Sequence, residues 1–309
     1  MHSSVLRRAT LALALAGSAA LTACGSSSVE SALTPERFLA VGDGYSDIGQ
    51  GPNGTRPTVN DGSNNWTQQI AADYNRTLKP ANEGGYSWAQ AYARVTQADT
   101  TGHNAPSITQ QVTSLLNATT LGDRDVVIMS GGLSDVYAEV EAANGVITDA
   151  TRAAVSKAGT EFGQQVRRLV KDGGAKYVLV TGVYNLGKSP WGLAYGDEVA
   201  AQITRLAVAF NDAVLLEINN LAENVLFRDS AVIYNILANE PDTYGIDNED
   251  TPVCTVAEAY DCTTSTLLPG ANYDTYLWSD SLNLTPRINR IFGDRSFGES
   301  MGYQFQYRW

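Results

Sequence analysis

The stretch Gly42-Asp43-Gly44-Tyr45-Ser46-Asp47-Ile48-Gly49 follows directly after the apolar run Phe38-Leu39-Ala40-Val41. An apolar run that ends in a glycine-rich turn is typical of a buried strand and the loop behind it. Similar runs come later in the chain: Val126-Val127-Ile128-Met129, Tyr177-Val178-Leu179-Val180 and Val225-Leu226-Phe227. Such runs, apolar on both faces and far apart in sequence, indicate a parallel sheet that is covered on both sides.

The segments between the later runs carry helical patterns. Between the second and third runs, apolar residues recur at helical spacing: Val155, Ala158, Phe162, Val166 and Leu169. The next segment repeats this pattern: Val199, Ile203, Leu206, Phe210, Val214 and Leu221. This alternation predicts a three-layer α/β/α domain with a central parallel sheet of about five strands. Ligands bind such sheets beyond the carboxyl ends of the strands, so the loops after Val41, Met129 and Val180 should carry the function.

The N-terminus predicts export. Arg7 and Arg8 precede an apolar run over residues 11–21, which is too short for a permanent membrane span. The sequence Leu21-Thr22-Ala23-Cys24 resembles the bacterial lipobox, whose cysteine is lipid-modified and becomes the new N-terminus. Residues 1–23 are therefore predicted to be a lipoprotein signal peptide, with an ordinary secretory signal as the alternative.

A polar leash follows the predicted lipid anchor. Gly25-Ser26-Ser27-Ser28 is flexible in composition, and we place the leash at residues 24–35. The lipid on Cys24 would tie the chain to a membrane, and Gly25 resembles outer-membrane sorting, which favours the outer membrane or periplasm. Residues 36–309 contain no further linker and are predicted to form a single domain.

The charge balance argues against nucleic acid as a partner. The chain carries 21 basic and 33 acidic residues, a net charge of −12. Removal of the signal peptide would take away Arg7 and Arg8 and no acid, which makes the mature chain more acidic still. Phosphate binding needs a concentrated basic surface, and the sequence shows none.

Cys254 and Cys262 are predicted to form a disulfide, because an exported protein meets oxidising conditions. A bridge that closes so small a loop contributes about 2 to 3 kcal/mol. A metal pair is disfavoured because no histidine or further cysteine lies nearby, and no zinc or calcium spacing occurs elsewhere. We therefore predict no metal and no cofactor, and we expect residues 239–276 to form a long surface excursion pinned by this pair.

The glycine-rich stretch after the first run resembles the first block of the SGNH/GDSL hydrolases, Gly-Asp-Ser-Leu-Ser-Asp. Later segments resemble the following parts of the same family: residues 66–70, 87–95, 126–137, 177–190, 244–254 and 276–286. The resemblance thus covers nearly the whole predicted mature chain. It implies a flavodoxin-like SGNH fold and a site built for ester hydrolysis.

The residues that the resemblance assigns to catalysis are replaced. The nucleophilic serine of the first block corresponds to Gly44, which has no side chain. The family's final Asp-x-x-His block reads Asp280-Ser281-Leu282-Asn283, so an amide stands where the base should be. Loss of triad members leaves only the roughly 10³ to 10⁴-fold assistance of the oxyanion hole and binding.

The positions implied for the oxyanion hole are altered as well. Ser134 stands where the family's third block has an asparagine. In the second block, Ala91 and Tyr92 fall where two glycines are expected. An alternative alignment places the intact pair at Gly84 and Gly85.

Three other sets of residues are candidates for a relocated catalytic group. Ser46 is a candidate for a displaced nucleophile, but we expect Ser46 and Asp47 to cap a helix start. His103 is expected to be a loop residue remote from the site. Asp43 and Asp280 could act as an acid/base pair, although we expect Asp43 to brace the turn.

Aromatic residues near the blocks have two readings, packing or a ligand pocket, and packing is the commoner one. They are Tyr45, Trp88, Tyr92, Trp191 and Trp278. The leading functional hypothesis is an envelope lipoprotein that no longer hydrolyses esters and binds an acyl-ester or glycan ligand. The alternative is an active carboxylic-ester hydrolase with a relocated nucleophile, and a third is a structural or assembly role.

Overall fold

The structure is a computed structural model that describes residues 33–51 and 54–297. The predicted signal peptide, Cys24 and most of the predicted leash lie outside the described residues. All four apolar runs identified in the sequence are strands of one sheet.

The main sheet is parallel and has the order β1-β2-β3-β4. Its strands are β1 (Arg37–Val41), β2 (Asp125–Ser130), β3 (Tyr177–Thr181) and β4 (Val225–Arg228). Phe38 lies opposite Val126, and Val126 lies opposite Tyr177. Every residue of β2 is buried, which requires cover on both faces of the sheet.

A short segment around Ser87 runs beside the outer edge of β1 and forms a single bridge with it. Ser87 forms a parallel bridge with Ala40, where Ala40 N donates to Tyr86 O at 2.9 Å and Trp88 N donates to Ala40 O at 2.8 Å. The turn at Gly84 ends just before this contact, so only a few residues run beside β1. The prediction of about five strands becomes four strands and one bridged segment.

Helices connect the strands. They are α1 (Trp66–Asp73), α2 (Ile108–Ala118), α3 (Leu133–Ala142), α4 (Asp149–Lys171), α5 (Pro190–Leu193), α6 (Asp197–Ile218), α7 (Ser230–Asn239) and α8 (Pro286–Phe297). Asn65, Ser107 and Thr148 cap α1, α2 and α4 in capping boxes, which satisfy the first free N–H groups of each helix.

The predicted apolar stripes of α4 and α6 pack against each other. Phe162 and Phe210 bring their ring centroids to 5.9 Å, and a Cβ on Gly159 would lie 2.4 Å from the carbonyl oxygen of Phe210. By length and composition α6 is apolar enough to cross a membrane, but this buried stripe is that of a core helix. α1 packs on α8 through Trp66 and Phe292, whose ring centroids lie 5.0 Å apart. The predicted α/β/α architecture with a central parallel sheet is confirmed.

The segment predicted to be a surface excursion is only partly so. It contains β5 (Asn248–Pro252), which pairs in parallel with β6 (Tyr276–Trp278) in a second small sheet. A disulfide joins Cys254 to Cys262, and both cysteines pack with Val59 and Val253 in a small buried cluster. The weak periodicity of this segment hid the cluster, because its apolar partner Val59 is far away in the chain.

Candidate functional site

The turn after β1 is fitted closely to the end of β2. Gly42 has a φ of 150°, and a Cβ there would lie 2.5 Å from the carbonyl oxygen of Ser130. The side chain of Gln111 holds the turn, since its Oε1 accepts from Gly42 N at 2.7 Å and its Nε2 donates to Gly42 O at 3.0 Å. Glycine is therefore required at this position.

Asp43 braces the turn. Its buried carboxylate accepts from Ser130 Oγ at 2.8 Å, from Leu133 N at 3.1 Å and from Tyr45 N at 3.2 Å. Burial raises the pKa of Asp43, and these hydrogen bonds oppose that rise. Asp43 does not line the cleft that Asp280 lines, so the two carboxylates do not form an acid/base pair there.

The cap prediction for Ser46 is wrong. Ser46 ends a short 3₁₀ turn over Gly44–Ser46, whose cap is Asp43, and the next helix begins only at Trp66. The Ser46 side chain is fully buried, and its Oγ has no hydrogen-bond partner among the described residues. A hydroxyl in this position has neither a base nor access to a substrate.

Asp47 is a buried hub beside this turn. Its Oδ1 accepts from Gly49 N and Gln50 N, both at 2.9 Å. Its Oδ2 accepts from Ala91 N at 2.9 Å and from the hydroxyl of Tyr260. Burial raises the pKa of Asp47, and the hydroxyl of Tyr260 and these N–H groups lower it. The carboxylate thus ties three separate segments together.

One cleft of about 590 Å³ opens at the carboxyl ends of β1 and β2. All the positions that the resemblance assigns to the site line this cleft: Gly44, Ala91, Tyr92, Ser134, Asp280 and Asn283. A cavity of this size suits a small molecule. The sheet rule applied to the sequence therefore locates the cleft correctly.

Gly44 and Asn283 face each other in the cleft. A Cβ on Gly44 would lie 3.5 Å from Asn283 Oδ1 and 3.2 Å from Ala91 Cβ. Asn283 Nδ2 donates to both oxygens of Asp280, at 3.1 Å and 2.9 Å, so its carbonyl oxygen is turned toward Gly44. An amide oxygen that accepts no proton near neutral pH therefore stands opposite a residue without a side chain.

Asp280 is saturated by the groups around it. Besides Asn283 Nδ2, it accepts from Leu282 N at 2.8 Å, Asn283 N at 2.7 Å and Ala259 N at 2.8 Å. Burial raises its pKa, and these hydrogen bonds lower it. Its contacts are those of a structural acid that fixes two loops.

Ala91 and Tyr92 stand in the cleft, whereas Gly84 and Gly85 do not line it. Ala91 N donates to Asp47, so it is not available to a ligand oxygen. Tyr92 has a φ of 67°, in the left-handed region that favours glycine. The alignment that puts Ala91 and Tyr92 at the family's glycine positions is therefore the one that fits the cleft.

The expectation that His103 is remote from the site is wrong. Its ring stacks on Tyr92 with centroids 3.9 Å apart, and it lines the cleft. Nε2 lies 3.2 Å from Glu258 Oε2, and Nδ1 lies 2.8 Å from Thr101 Oγ1. The Thr101 hydroxyl donates a hydrogen bond to Asp99 Oδ1 at 2.6 Å, so its hydrogen does not point to the imidazole. The loop that carries His103 lacks periodic signals, and its path could not be read from sequence.

Ser134 has an unsatisfied hydroxyl. It lines the cleft at the first turn of α3, is only 5% exposed, and its Oγ has no partner among the described residues. Gly132 caps α3 without a side-chain hydrogen bond. Ser134 therefore brings a buried hydroxyl without a partner to the lining of the cleft.

Several cleft residues were not predicted. Arg94 contacts Asp135 at 3.4 Å and Glu139 at 2.6 Å, and the spacing of these acids puts both on one face of α3. Burial raises the pKa of Asp135 to about 6, against the effect of Arg94. Glu258 lies inside the disulfide loop, where the sequence gives no signal for a role in the cleft.

The aromatic residues divide into two groups. Tyr45 and Trp278 are buried in the core, and Trp88 packs on Tyr86. Tyr92 and Trp191 line the cleft instead. Packing therefore accounts for Tyr45, Trp88 and Trp278, and the pocket interpretation applies to the other two. Within residues 33–51 and 54–297, no group of three or more His, Cys, Asp or Glu side chains is placed to hold a metal ion.

No family model and no curated protein matches this chain. Solved structures do match it. The carbohydrate acetylesterase Est24 from Sinorhizobium meliloti is 14% identical, with 83% of this chain and 94% of that chain covered and a TM-score of 0.44. The inhibitor-bound aryl esterase of M. smegmatis is 17% identical over 83% and 94%, with a TM-score of 0.43. The extracellular lipase from Streptomyces rimosus is 18% identical over 64% and 82%, with a TM-score of 0.39.

The fold rests on the chain's own geometry: the parallel sheet, the first block at the end of β1, and the final block facing it across the cleft. The chain therefore has an α/β/α fold with a central parallel sheet, and its cleft lies at the carboxyl ends of β1 and β2.

Proposed function

We propose that the protein is a catalytically inactive SGNH/GDSL homologue that acts by binding a small ligand in its cleft. The observation that carries this proposal is that Gly44 and Asn283 face each other. A Cβ on Gly44 would lie 3.5 Å from Asn283 Oδ1. Acyl transfer needs a nucleophile and a base at these positions. This chain offers a bare backbone and an amide oxygen.

The oxyanion side of the cleft supports the same proposal. Ala91 N donates to Asp47, so this N–H is not available to stabilise a developing oxyanion. The cleft itself remains open, with a volume of about 590 Å³. It keeps the room for an acyl-ester or glycan ligand without the groups to cleave one.

One observation favours the alternative of an ester hydrolase with a relocated nucleophile. His103 lies in the cleft with a carboxylate, Glu258, beside it. The hydroxyl that contacts His103 belongs to Thr101, and this hydroxyl donates its hydrogen bond to Asp99. A serine bonded to His103 is absent from the described residues, so the constellation lacks its nucleophile.

An assay with p-nitrophenyl acetate tests the proposal. We expect the purified protein to hydrolyse it no faster than a Gly44→Trp variant, whose indole would fill the cleft, with circular dichroism to verify folding. The His103→Ala variant is the matched test of the alternative. Wild-type turnover that both substitutions abolish would show that the protein is an enzyme.

Export and lipid anchoring are part of the proposal. The support is the sequence alone: Arg7 and Arg8, the apolar run, and Cys24 at the end of a lipobox-like stretch. We propose that Cys24 carries a lipid that holds the protein at the outer membrane, facing the periplasm or the exterior. Metabolic labelling with an alkyne fatty acid should mark the wild type and not a Cys24→Ala variant, and labelling of both would contradict the anchor site.

A further inference from the structure

The wall of the cleft is acidic. Its charged lining residues are Asp99, Glu141, Glu258, Asp280 and Arg94, together with His103. The charge of Arg94 is already taken up by Asp135 and Glu139. An anionic ligand would meet net repulsion here, whereas a cation would be attracted.

Glu141 is held by aromatic donors at one side of the cleft. Trp191 Nε1 donates to its Oε1 at 2.8 Å, and the hydroxyl of Tyr195 donates to the same oxygen at 2.7 Å. The ring of Trp191 lies 5.2 Å from that of Tyr137 and 5.7 Å from that of Tyr195. Both hydrogen bonds use Oε1, and no donor among the described residues reaches Oε2.

Glu258 repeats this arrangement from the disulfide loop. The hydroxyl of Tyr92 donates to its Oε2 at 2.9 Å, and His103 Nε2 lies 3.2 Å from the same oxygen. No donor among the described residues reaches its Oε1. Burial raises the pKa of Tyr137, and the charges of Glu141 and Glu258 raise it further, so the Tyr137 ring lies within the field of both carboxylates.

Ser134 supplies a different kind of contact. Its buried hydroxyl lacks a partner among the described residues and lines the same cleft. Such a group is costly to leave unsatisfied, and it suits a hydroxyl or carbonyl oxygen of a ligand. The cleft thus combines aromatic faces, open carboxylate oxygens and one neutral polar group.

We infer that the cleft binds a small organic cation, an alkylammonium group joined to a hydroxyl or carbonyl. The ammonium lies against the rings of Tyr92, Tyr137 and Trp191, where aromatic faces attract cations. Glu141 and Glu258 balance its charge, and Ser134 bonds to its neutral oxygen. This inference rests on the proposed binding function and names the class of ligand for it.

Isothermal titration with choline as the probe tests the inference. The matched probe is its uncharged isostere, in which a tert-butyl group replaces the trimethylammonium. Choline should bind the purified protein at least about tenfold more tightly, since cation–π and carboxylate attraction act only on the charged probe. High salt should weaken the binding of choline and leave that of the isostere unchanged.

Charge-removing variants locate the site. Glu141→Gln and Glu258→Gln should each weaken choline binding by roughly three- to tenfold, because glutamine keeps the shape and loses the charge. Glu240→Gln is the control, since Glu240 does not line the cleft. Thermal melts of all the variants check that the fold is intact.

The outcomes separate the inference from the proposed function. If the isostere or butyrate binds as tightly as choline or more tightly, the inference of a cationic ligand is overturned, although the cleft still binds small molecules. Failure of choline to bind would overturn the inference too, whereas the proposed function is judged by ester turnover. Choline binding that is unaffected by both glutamate variants would show that it binds elsewhere and overturn the inference.

Discussion

Gly44 and Asn283 meet across the cleft with the asparagine's oxygen, and not its nitrogen, turned to the glycine. Asp280 dictates this orientation because it accepts both hydrogen bonds from the asparagine nitrogen. With a histidine at position 283 and a serine at position 44, the same geometry would direct an imidazole nitrogen toward the serine hydroxyl. The site therefore keeps the arrangement of a nucleophile facing a base, with a glycine and an amide at the two positions.

Restoring both residues should restore some chemistry. We expect the Gly44→Ser/Asn283→His double variant to hydrolyse p-nitrophenyl acetate measurably, and each single variant not to. Ala91 Cβ would lie 3.2 Å from the new Cβ, so adding Ala91→Gly should raise the rate further. A Gly44→Ala/Asn283→His variant has no hydroxyl and is the control. Equal rates in that control and the double variant would contradict the expectation.

The orphaned hydroxyl of Ser46 should be dispensable. Ser46→Ala removes a buried polar atom that has no partner among the described residues, so stability should stay the same or rise by up to about 1 kcal/mol. Ser130→Ala is the comparison, since Ser130 Oγ donates to the buried Asp43, and it should lower stability by about 1 to 3 kcal/mol. Urea unfolding measures both. A large loss in Ser46→Ala would show a contact that the structure does not contain.

The pH dependence of stability should carry a signature of Asp135. Burial raises its folded-state pKa from 3.8 to about 6, so the folded state holds a proton that the unfolded state has released. Its contribution to stability is therefore present below about pH 4 and is lost as the pH rises toward 6. A rise of this size, in which the opposing effect of Arg94 is already included, corresponds to about 3 kcal/mol at most.

Unfolding curves of the wild type and Asp135→Asn across this pH range measure that contribution. The wild type should lose more stability than the variant as the pH rises from 4 to 6. Buried acids that do not act on Asp135, such as Asp47 and Asp280, are present in both proteins and cancel in the comparison. A wild type that gains stability relative to the variant over this range would reverse the sign.

The disulfide should support the cleft as well as the loop. Reduction, or Cys254→Ser with Cys262→Ser, should lower stability by about 2 to 3 kcal/mol. It should also weaken choline binding, because Glu258 lies between the two cysteines. Melting and titration with and without reductant measure both effects. Loss of stability with unchanged choline binding would show that Glu258 keeps its place without the bridge.

The strands and the long helices could be predicted because their signals are local. The runs at β1 to β4 are apolar on both faces, and the stripes of α4 and α6 repeat at helical spacing. The meeting of Gly44 and Asn283 followed from the family blocks and the strand-end rule. These inferences use periodicity and order along the chain, which the fold preserves.

The loops could not be predicted in the same way. His103 reaches the cleft through a loop without periodic signals, and its contacts with Tyr92 and Glu258 join segments far apart in sequence. Serine is a residue type that commonly caps helices, but Ser46 lies at the end of a single 3₁₀ turn and no helix follows it directly. Tertiary contacts decide such positions, and local preference does not.

Asp280 and Asp47 give the disulfide loop its anchorage, through Ala259 N and the hydroxyl of Tyr260. An acid that orients a base in the family's mechanism thus has a second task here that is independent of catalysis. Replacing Asp280 would remove the hydrogen bond from Ala259 N that holds the disulfide loop, whatever its effect on a reaction. An aspartate at this position is therefore no sign of an enzyme, since architecture alone is enough to retain it.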